Sequence, residues 1–350
     1  MSRLDDKIAS LTEKWLTEIL PVAEDSVVGF VDGITMANFY ALEAARTAIL
    51  QNLDWDVELH GLYGAPRITV VIGEGADIPL LKALSLLGIG RDRVIRIPSD
   101  ANGRMQIHLL PQLDKRTIVC LQAGCANSGA MDSGDIILRA KDSGAWFHID
   151  GAFGLWTAIS DHKKHLTQGY KLADSWATDG RQCLDVPYDN GLVICRHVSV
   201  LRKVMSIQNN YSDYFFPRAP CQLVGGLSSH ERAMNIWSAL HRLDKSGIEE
   251  MVTRTSVYAE YMATKLSGAG YNVLNRVDTN QVLVSFGSDE VTNHVIQKMK
   301  VFGTCWYDGA FWKGRLALRI SVVDSKITEH EIKRALDIIS SSVQNFRPDL

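Results

Sequence analysis

A short stretch near the middle of the chain carries side chains suited to ligand binding or proton transfer. Residues 146–154 read Trp-Phe-His-Ile-Asp-Gly-Ala-Phe-Gly, an apolar run that predicts a strand ending in Asp150. An acid at the end of a strand in an α/β sheet lies where such sheets bind ligands. Small residues such as Ala152 let a flat group approach the backbone. We therefore expect a ligand role for Asp150, with capping of the local backbone as an equally good interpretation.

Two further side chains are candidates for acid–base chemistry. We expect His148 to face the same side as Asp150 only where the strand bends, so a packed or hydrogen-bonded histidine is the favoured interpretation and a catalytic one the alternative. Asp77 would become a usable general acid or base in an apolar pocket, because desolvation raises the pKa of a carboxyl group. The alternative for Asp77 is a solvated loop acid, or a cap for the helix that begins near Pro79.

The elements that position these residues alternate between short apolar runs and helices. Such alternation indicates an α/β domain with a largely parallel sheet. After residue 229 the pattern changes to a long helical region with a break near Gly247, two strands, and a last helix that begins at a capping box of Thr328 and Glu331. This second region predicts a small α+β domain. The predicted strands are 27–31, 68–72, 94–97, 118–121, 146–149, 192–195, 282–286 and 316–322, and the predicted helices are 4–19, 36–50, 79–87, 134–141 and 231–266.

The composition limits the classes of function. The chain has 350 residues, 46% hydrophobic and 22% charged, with a net charge of −3, which is ordinary for a globular protein. Nucleic acids and membrane surfaces attract strongly basic patches, so we expect neither as a partner. The six cysteines form no CxxC pair, and we expect no metal site. No leader peptide or membrane span is evident, and unpaired thiols favour a cytoplasmic location.

Several motifs resemble those of the group II pyridoxal-phosphate-dependent amino acid decarboxylases. The likeness is carried by residues 146–154, by 173–189 (ADSWATDGRQCLDVPYD), by 127–132 (NSGAMD), by 81–90, and by the tail segments 303–306, 314–315 and 319–321. It implies a fold-type I architecture with a large, mostly parallel seven-stranded domain and a C-terminal α+β small domain. We expect an N-terminal helix over residues 1–20, the large domain over 21–230 and the small domain over 231–350. The resemblance also implies a homodimer with its pocket at the subunit interface.

The pattern departs from that family at chemically important positions. Gln182 stands where the family has the lysine that forms a Schiff base with the cofactor, and a delocalised amide nitrogen is not nucleophilic. Its amide could orient a substrate carbonyl or carboxylate, although decay of an unused lysine is a little more plausible. Arg181 replaces the adjacent histidine and stays protonated. It could bind phosphate or a carboxylate, or pair with Asp179 or Asp185. Asp77 replaces a histidine that stacks on the pyridine ring.

The start of the second helix departs as well. Residues 31–35, Val-Asp-Gly-Ile-Thr, stand where the family binds phosphate through the backbone N–H groups of a Gly-Gly-Ser/Thr sequence. Ile34 replaces a glycine, and Asp32 adds a negative charge beside a bound phosphate. Thr35 is retained.

Other matching positions keep the family residue type. By resemblance, Asp150 is the acid that pairs with the pyridine nitrogen and Ala152 is the small residue under the ring. Ser128 stands at the position of a threonine. We expect these residues, with Thr35 and Asp179, to form a residual cofactor or substrate pocket. The chain also begins later than the family pattern, so we expect the segment that covers the active site to be absent.

These observations favour a decarboxylase-like enzyme with altered chemistry. The first hypothesis is a repurposed, cofactor-independent enzyme that performs condensation, cyclisation, isomerisation or lyase chemistry on a small amine or carboxylate in specialised metabolism. Asp77, Asp150, Arg181, Gln182 and His148 would supply its catalytic groups. One alternative is a non-catalytic pseudoenzyme that acts as a scaffold or regulator. Another is a protein that binds pyridoxal phosphate only noncovalently, as an external aldimine. We expect no covalently bound cofactor.

Overall fold

The computed structural model describes residues 3–187, 189–205, 229–302, 306–323 and 326–346. Its larger sheet contains β1 (Val27–Asp32), β2 (Thr69–Gly73), β3 (Ile95–Ile97), β4 (Thr117–Gln122), β5 (Trp146–Asp150), β6 (Ser175–Asp179) and β7 (Asn190–Cys195). The spatial order is β1-β7-β6-β5-β4-β2-β3. β7 pairs antiparallel with β1 and β6, and the other pairs are parallel. The predicted fold class, a mostly parallel α/β sheet beside a smaller unit, is confirmed.

The central strands are buried on both faces, which explains their continuous apolar sequences. Every residue of β5 and β7 is buried. Phe147 and Ile149 of β5 belong to one hydrophobic core, whereas Trp146 belongs to a second core on the opposite face. Residues two apart on a strand point to the same face. His148 and Asp150 therefore share the face of Trp146.

Helices cover both faces of this sheet. The second core lies beneath α2 (Gly33–Gln51), α4 (Ile78–Leu86) and α7 (Val198–Val204), and the first lies beneath α1 (Arg3–Ile19) and the long helix α8 (Ser229–Gly268). Three short helices complete this part, α3 (Val57–His60), α5 (Asp135–Arg139) and α6 (Arg181–Leu184). α2 begins three residues before the predicted start at Met36. Its first residue, Gly33, has φ +70, and the Asp-Gly pair there is typical of a turn.

The long helix α8 is broken near the predicted place. The break lies at Asp244, whose φ of 51 and ψ of −177 are not helical. Its side-chain Oδ1 accepts a hydrogen bond from the Gly247 amide at 3.0 Å. Asp244 therefore caps the second half of the helix, three residues before the predicted Gly247.

The smaller sheet is antiparallel and packs against the end of α8. It contains β8 (Asn272–Val273), β9 (Gln281–Ser285), β10 (Trp306–Trp312) and β11 (Arg315–Ser321), in the order β10-β11-β9-β8. α9 (Asp289–Phe302) and α10 (Glu329–Gln344) follow β9 and β11, and the predicted capping box begins α10.

Strands β6 and β8 were not predicted, and neither was β10. Asp308 and Gly309 interrupt its apolar pattern and are typical of a turn. The actual turn is Lys313-Gly314, where both residues have positive φ and join β10 to β11 in a tight hairpin. The domain boundaries at residues 20 and 230 stay predictions, and α8 runs across the second of them.

Among the described helices, none combines the length and the apolar character that a membrane crossing requires. The cytoplasmic location stays a prediction.

Candidate active site

Three buried polar side chains meet where β5 ends beneath α2. Asn38 of α2 donates from Nδ2 to Oδ1 of Asp150 at 3.2 Å. The Oδ1 atom of Asn38 lies 2.8 Å from Nε2 of His148. The expectation that His148 faces the side of Asp150 only where the strand bends is wrong, because residues two apart already share a face. The favoured interpretation of His148, a buried and hydrogen-bonded histidine, is confirmed.

Burial shifts the pKa values of the two titratable groups in this cluster in opposite directions. Burial raises the pKa of Asp150 to about 7; the hydrogen bond from Asn38 lowers it, and the charge of Asp77 raises it. Burial lowers the pKa of His148 to about 3. At neutral pH the imidazole is therefore uncharged, while the carboxyl group of Asp150 is poised to hold or release a proton.

A cavity of about 140 Å³ lies between the large sheet and the small domain. Asp77 and Ala152 line it from the large sheet, and Arg319 lines it from β11. Ala152 and Phe153 directly follow the β5 end that carries Asp150. The remaining lining residues are Gly124, Cys125, Ala126, Gly129, Phe153, Thr279, Asn280, Gln281, Ser321 and Val323.

Asp77 both caps a helix and lines the cavity. It is the residue before α4, and its Oδ1 accepts a hydrogen bond from the Ile78 amide at 2.8 Å. The helix-cap alternative is thus confirmed. Because its charge also raises the pKa of Asp150, the carboxylate acts on the buried acid as well.

Arg181 and Gln182 form the start of the short helix α6, directly after β6. The Arg181 amide donates to Oδ1 of Asp179 at 2.6 Å. Burial raises the pKa of Asp179, and the Arg181 charge lowers it. Neither Arg181 nor Asp179 is among the residues that line the cavity. The side chain of Gln182 lies outside the described part of the structure, so its role stays a prediction.

Ser128 and Thr35 do not line the cavity either. Ser128 is fully buried, its hydroxyl accepts a hydrogen bond from the Ala130 amide at 3.3 Å, and its carbonyl accepts one from Asn275 at 2.8 Å. It therefore holds the loop after β4 against the small domain. Thr35 is half-buried in the first turn of α2, and its ligand role stays a prediction.

No functional role was predicted for Arg319 from the sequence. Its Nε is buried and has no hydrogen-bond partner among the described residues, while Nη1 lies 3.5 Å from the Ala126 carbonyl. Nη2 lies 3.8 Å from Asp308. A cation with spare donors in a cavity can bind a carboxylate. The sequence signal was the segment 319–321, which matched the decarboxylase pattern but lies far along the chain from Asp150.

The fold and site thus describe an α/β protein with a buried acid two residues before Ala152, which lines the cavity. The chain belongs to the pyridoxal-dependent decarboxylase family, because residues 7–288 match the family model described as "Pyridoxal-dependent decarboxylase conserved domain". The family resemblance drawn from the sequence is therefore confirmed.

Two curated relatives illustrate the match. The chain is 27% identical to the aromatic-L-amino-acid decarboxylase of Bacillus atrophaeus over 278 residues, which cover 75% of this chain and 56% of that protein. It is 28% identical to the aspartate 1-decarboxylase of Aliivibrio fischeri over 261 residues, which cover 69% of this chain and 47% of that protein. The chain spans about half the length of these relatives.

Solved structures show the same fold. The crystal structure of mouse CSAD superposes with a TM-score of 0.87 at 19% identity, covering 99% of this chain and 77% of that chain. The structure of Oryza sativa TDC with PLP and tryptamine superposes with a TM-score of 0.85 at 19% identity, covering 98% and 76%.

These comparisons correct the prediction about the cofactor. We expected no covalently bound cofactor, but the family is pyridoxal-dependent, its members bind pyridoxal phosphate (PLP) covalently, and the rice structure contains it. The described residues fit the pyridine end of that group. Asp150 is a buried acceptor for a pyridine N–H, and Ala152 adds only a methyl group to the wall of the cavity.

Proposed function

We propose that this chain binds PLP in the cavity beside Asp150 and acts on a small amine that carries a carboxylate. The observation that carries the proposal is the buried Asp150 carboxyl group, held by Asn38 at the end of β5. Membership of a pyridoxal-dependent family supports the choice of cofactor. The decarboxylases among the curated relatives support an amino acid or its amine as the substrate class.

Each cavity residue would have a distinct task. Bound PLP supplies an electron sink for charge that develops next to the substrate amine nitrogen. Asp150 would hold a proton at the pyridine nitrogen, since a raised pKa makes a carboxyl group a good partner for a weak base. Arg319 would bind the substrate carboxylate through its guanidinium donors.

The reaction would differ from plain decarboxylation because the proton-carrying groups differ. The family resemblance places a histidine at Asp77 and a His-Lys pair at Arg181 and Gln182. An aspartate at the cavity wall replaces an imidazole, and a neutral amide replaces an amine that could carry a proton. A condensation, cyclisation, isomerisation or other lyase reaction of a small amine or carboxylate, in specialised metabolism, would fit these groups.

Binding and product analysis test this function. The purified chain is equilibrated with PLP, dialysed and examined by absorbance. It is also reduced with borohydride, and peptide mass mapping then locates any pyridoxyl group. The loaded protein is next offered a panel of amino acids and their amines, with products identified by mass spectrometry.

We expect one PLP per chain and a converted substrate, with both lost in Asp150→Ala and kept in the matched variant Asp135→Ala. Asp135 is an exposed acid in α5. Failure of the wild-type chain to retain PLP would contradict the proposal. Equal retention by Asp150→Ala would contradict the role assigned to Asp150.

A further inference from the structure

A row of buried polar side chains runs from Asp150 back through the sheet. Asn38 and His148 are the first two members after Asp150. On the other side of the imidazole, Nδ1 of His148 lies 3.0 Å from the Ser175 hydroxyl on the neighbouring strand β6. Nε1 of Trp146 donates to that same hydroxyl at 2.9 Å. The four other members of this row, Asn38, His148, Ser175 and Trp146, are all buried.

The two ends of the row fix its direction. An indole N–H can only donate, so the Ser175 oxygen accepts from Trp146 and its own hydrogen is available for Nδ1 of His148. At the other end, Asn38 uses its amide N–H group on Asp150, so its carbonyl oxygen must accept from Nε2 of His148. The hydrogen bonds assign the proton of a neutral His148 to Nε2.

We propose that Trp146, Ser175, His148 and Asn38 are positioning residues, which form a one-way hydrogen-bond relay whose last donor fixes Oδ1 of Asp150. Oδ2 accepts no hydrogen bond from the described residues and is left for a cationic N–H of the ligand. The relay rests on the proposed function for its ligand, but its own geometry is a property of the chain without cofactor.

Alignment of the donors gives the relay its effect. Each bond polarises the next, so the donor that reaches Asp150 is stronger than an isolated amide N–H. No member other than Asp150 needs a charge, which agrees with the low pKa that burial gives His148. The ring of Trp146 also lies against His197, with 4.6 Å between ring centroids, which holds the far end in place.

The protonation of His148 in the cofactor-free protein tests the relay directly. Proton–nitrogen correlation spectra of protein with isotope-labelled histidine distinguish the two neutral forms, and the signal is assigned by its loss in His148→Gln. We expect the Nε2–H form at neutral pH. Ser175→Ala removes the donor to Nδ1 but leaves the Asn38 acceptor at Nε2, so the Nε2–H form should persist with a shifted Nδ1 resonance. Ser175→Thr, which keeps a hydroxyl, should restore the wild-type resonance.

A second readout is the affinity for PLP. Ser175→Ala should weaken it roughly two- to fivefold, because one neutral hydrogen bond is lost two positions from Asp150. Ser175→Thr should recover it. The matched control is Ser160→Ala, another fully buried serine, whose hydroxyl bonds to Thr253 outside the relay.

The outcomes separate the relay from the proposed function. An Nδ1–H or charged His148 in the wild-type protein overturns the relay, whatever the cofactor does. Unchanged PLP affinity in Ser175→Ala also overturns it when the wild type binds. If the wild type binds no PLP but His148 shows the Nε2–H form and Ser175→Ala shifts its Nδ1 resonance, the relay stands and the proposed function fails.

Discussion

Asn38 and Asp150 lie 112 residues apart in the chain, yet the amide of one donates to the carboxylate of the other at 3.2 Å. Asn38 lies in the second turn of α2, and Asp150 is the last residue of β5. The bond therefore ties the second turn of α2 to the carboxyl end of β5.

Removal of the Asn38 amide should leave the Asp150 carboxyl group less firmly positioned. Asn38→Leu deletes the hydrogen bond that lowers the pKa of Asp150, so that pKa should rise further. We expect PLP affinity to fall about tenfold, the effect of losing one hydrogen bond to a charged group. Equilibrium dialysis measures it. Thr47→Val, a buried polar change on the same helix, is the control and should bind as the wild type does.

The pKa of Asp150 predicts how stability depends on pH. The pKa of Asp150 is about 7 in the folded chain, against 3.8 for an aspartate that is exposed to water. The folded chain therefore binds this proton more tightly than the unfolded chain does. Between those values the unfolded chain binds fewer protons, and the contribution of Asp150 to stability falls as the pH rises. The free energy of unfolding of the wild type minus that of Asp150→Asn should therefore decline from about pH 4 to 7 and level off above. Urea titrations followed by tryptophan fluorescence test this, and a difference that rises with pH would contradict it.

The sequence predicted six of the seven strands of the larger sheet, all but β6, and the acid at the end of β5, because local patterns encode them. Continuous apolar runs mark buried strands whatever their partners are. The hydrogen bond from Asn38 and the approach of Arg319 to the cavity are different, since each joins segments more than 100 residues apart. No spacing rule links such residues. Strand β10 was missed for a local reason, because Asp308 and Gly309 imitate a turn.

Asp77 offers a test of local charge at the cavity. Asp77→Asn removes a negative charge whose effect on Asp150 is unfavourable, so the pKa of Asp150 should fall. Asparagine caps helices about as well as aspartate, so α4 should keep its start. We expect PLP, which carries an anionic phosphate, to bind roughly two- to fivefold more tightly, because surface-accessible charge pairs contribute about 1 kcal/mol or less. Weaker binding by this variant in the same dialysis assay would count against a PLP site here.

Asp132 supports the loop that lines the cavity. Its buried carboxylate accepts hydrogen bonds from the amides of Met105, at 2.6 Å, and Gln122, at 2.8 Å. Asp132→Asn turns an NH₂ group toward one of these N–H donors, so one bond becomes a repulsive contact. We expect a loss of about 2–3 kcal/mol in the free energy of unfolding, the effect of leaving a buried donor unpaired. Asp135→Asn, three residues on and exposed, should change it by about 0.5 kcal/mol or less.

Arg319 should decide whether the cavity prefers substrates with a carboxylate. Its side chain is about one-quarter exposed, with a buried Nε that has no partner in the described structure, so its guanidinium has donors available. Arg319→Ala should raise the KM for the carboxylate-bearing member of each amino acid and amine pair by roughly ten- to a hundredfold, the effect of losing charge-assisted hydrogen bonds. The KM for the amine should change little, because it has no carboxylate to lose. Arg315→Ala removes a cation from the exposed start of the same strand and should leave both constants unchanged. A parallel rise in both constants for Arg319→Ala would instead indicate general damage to the cavity, since only a carboxylate contact discriminates between the two substrates.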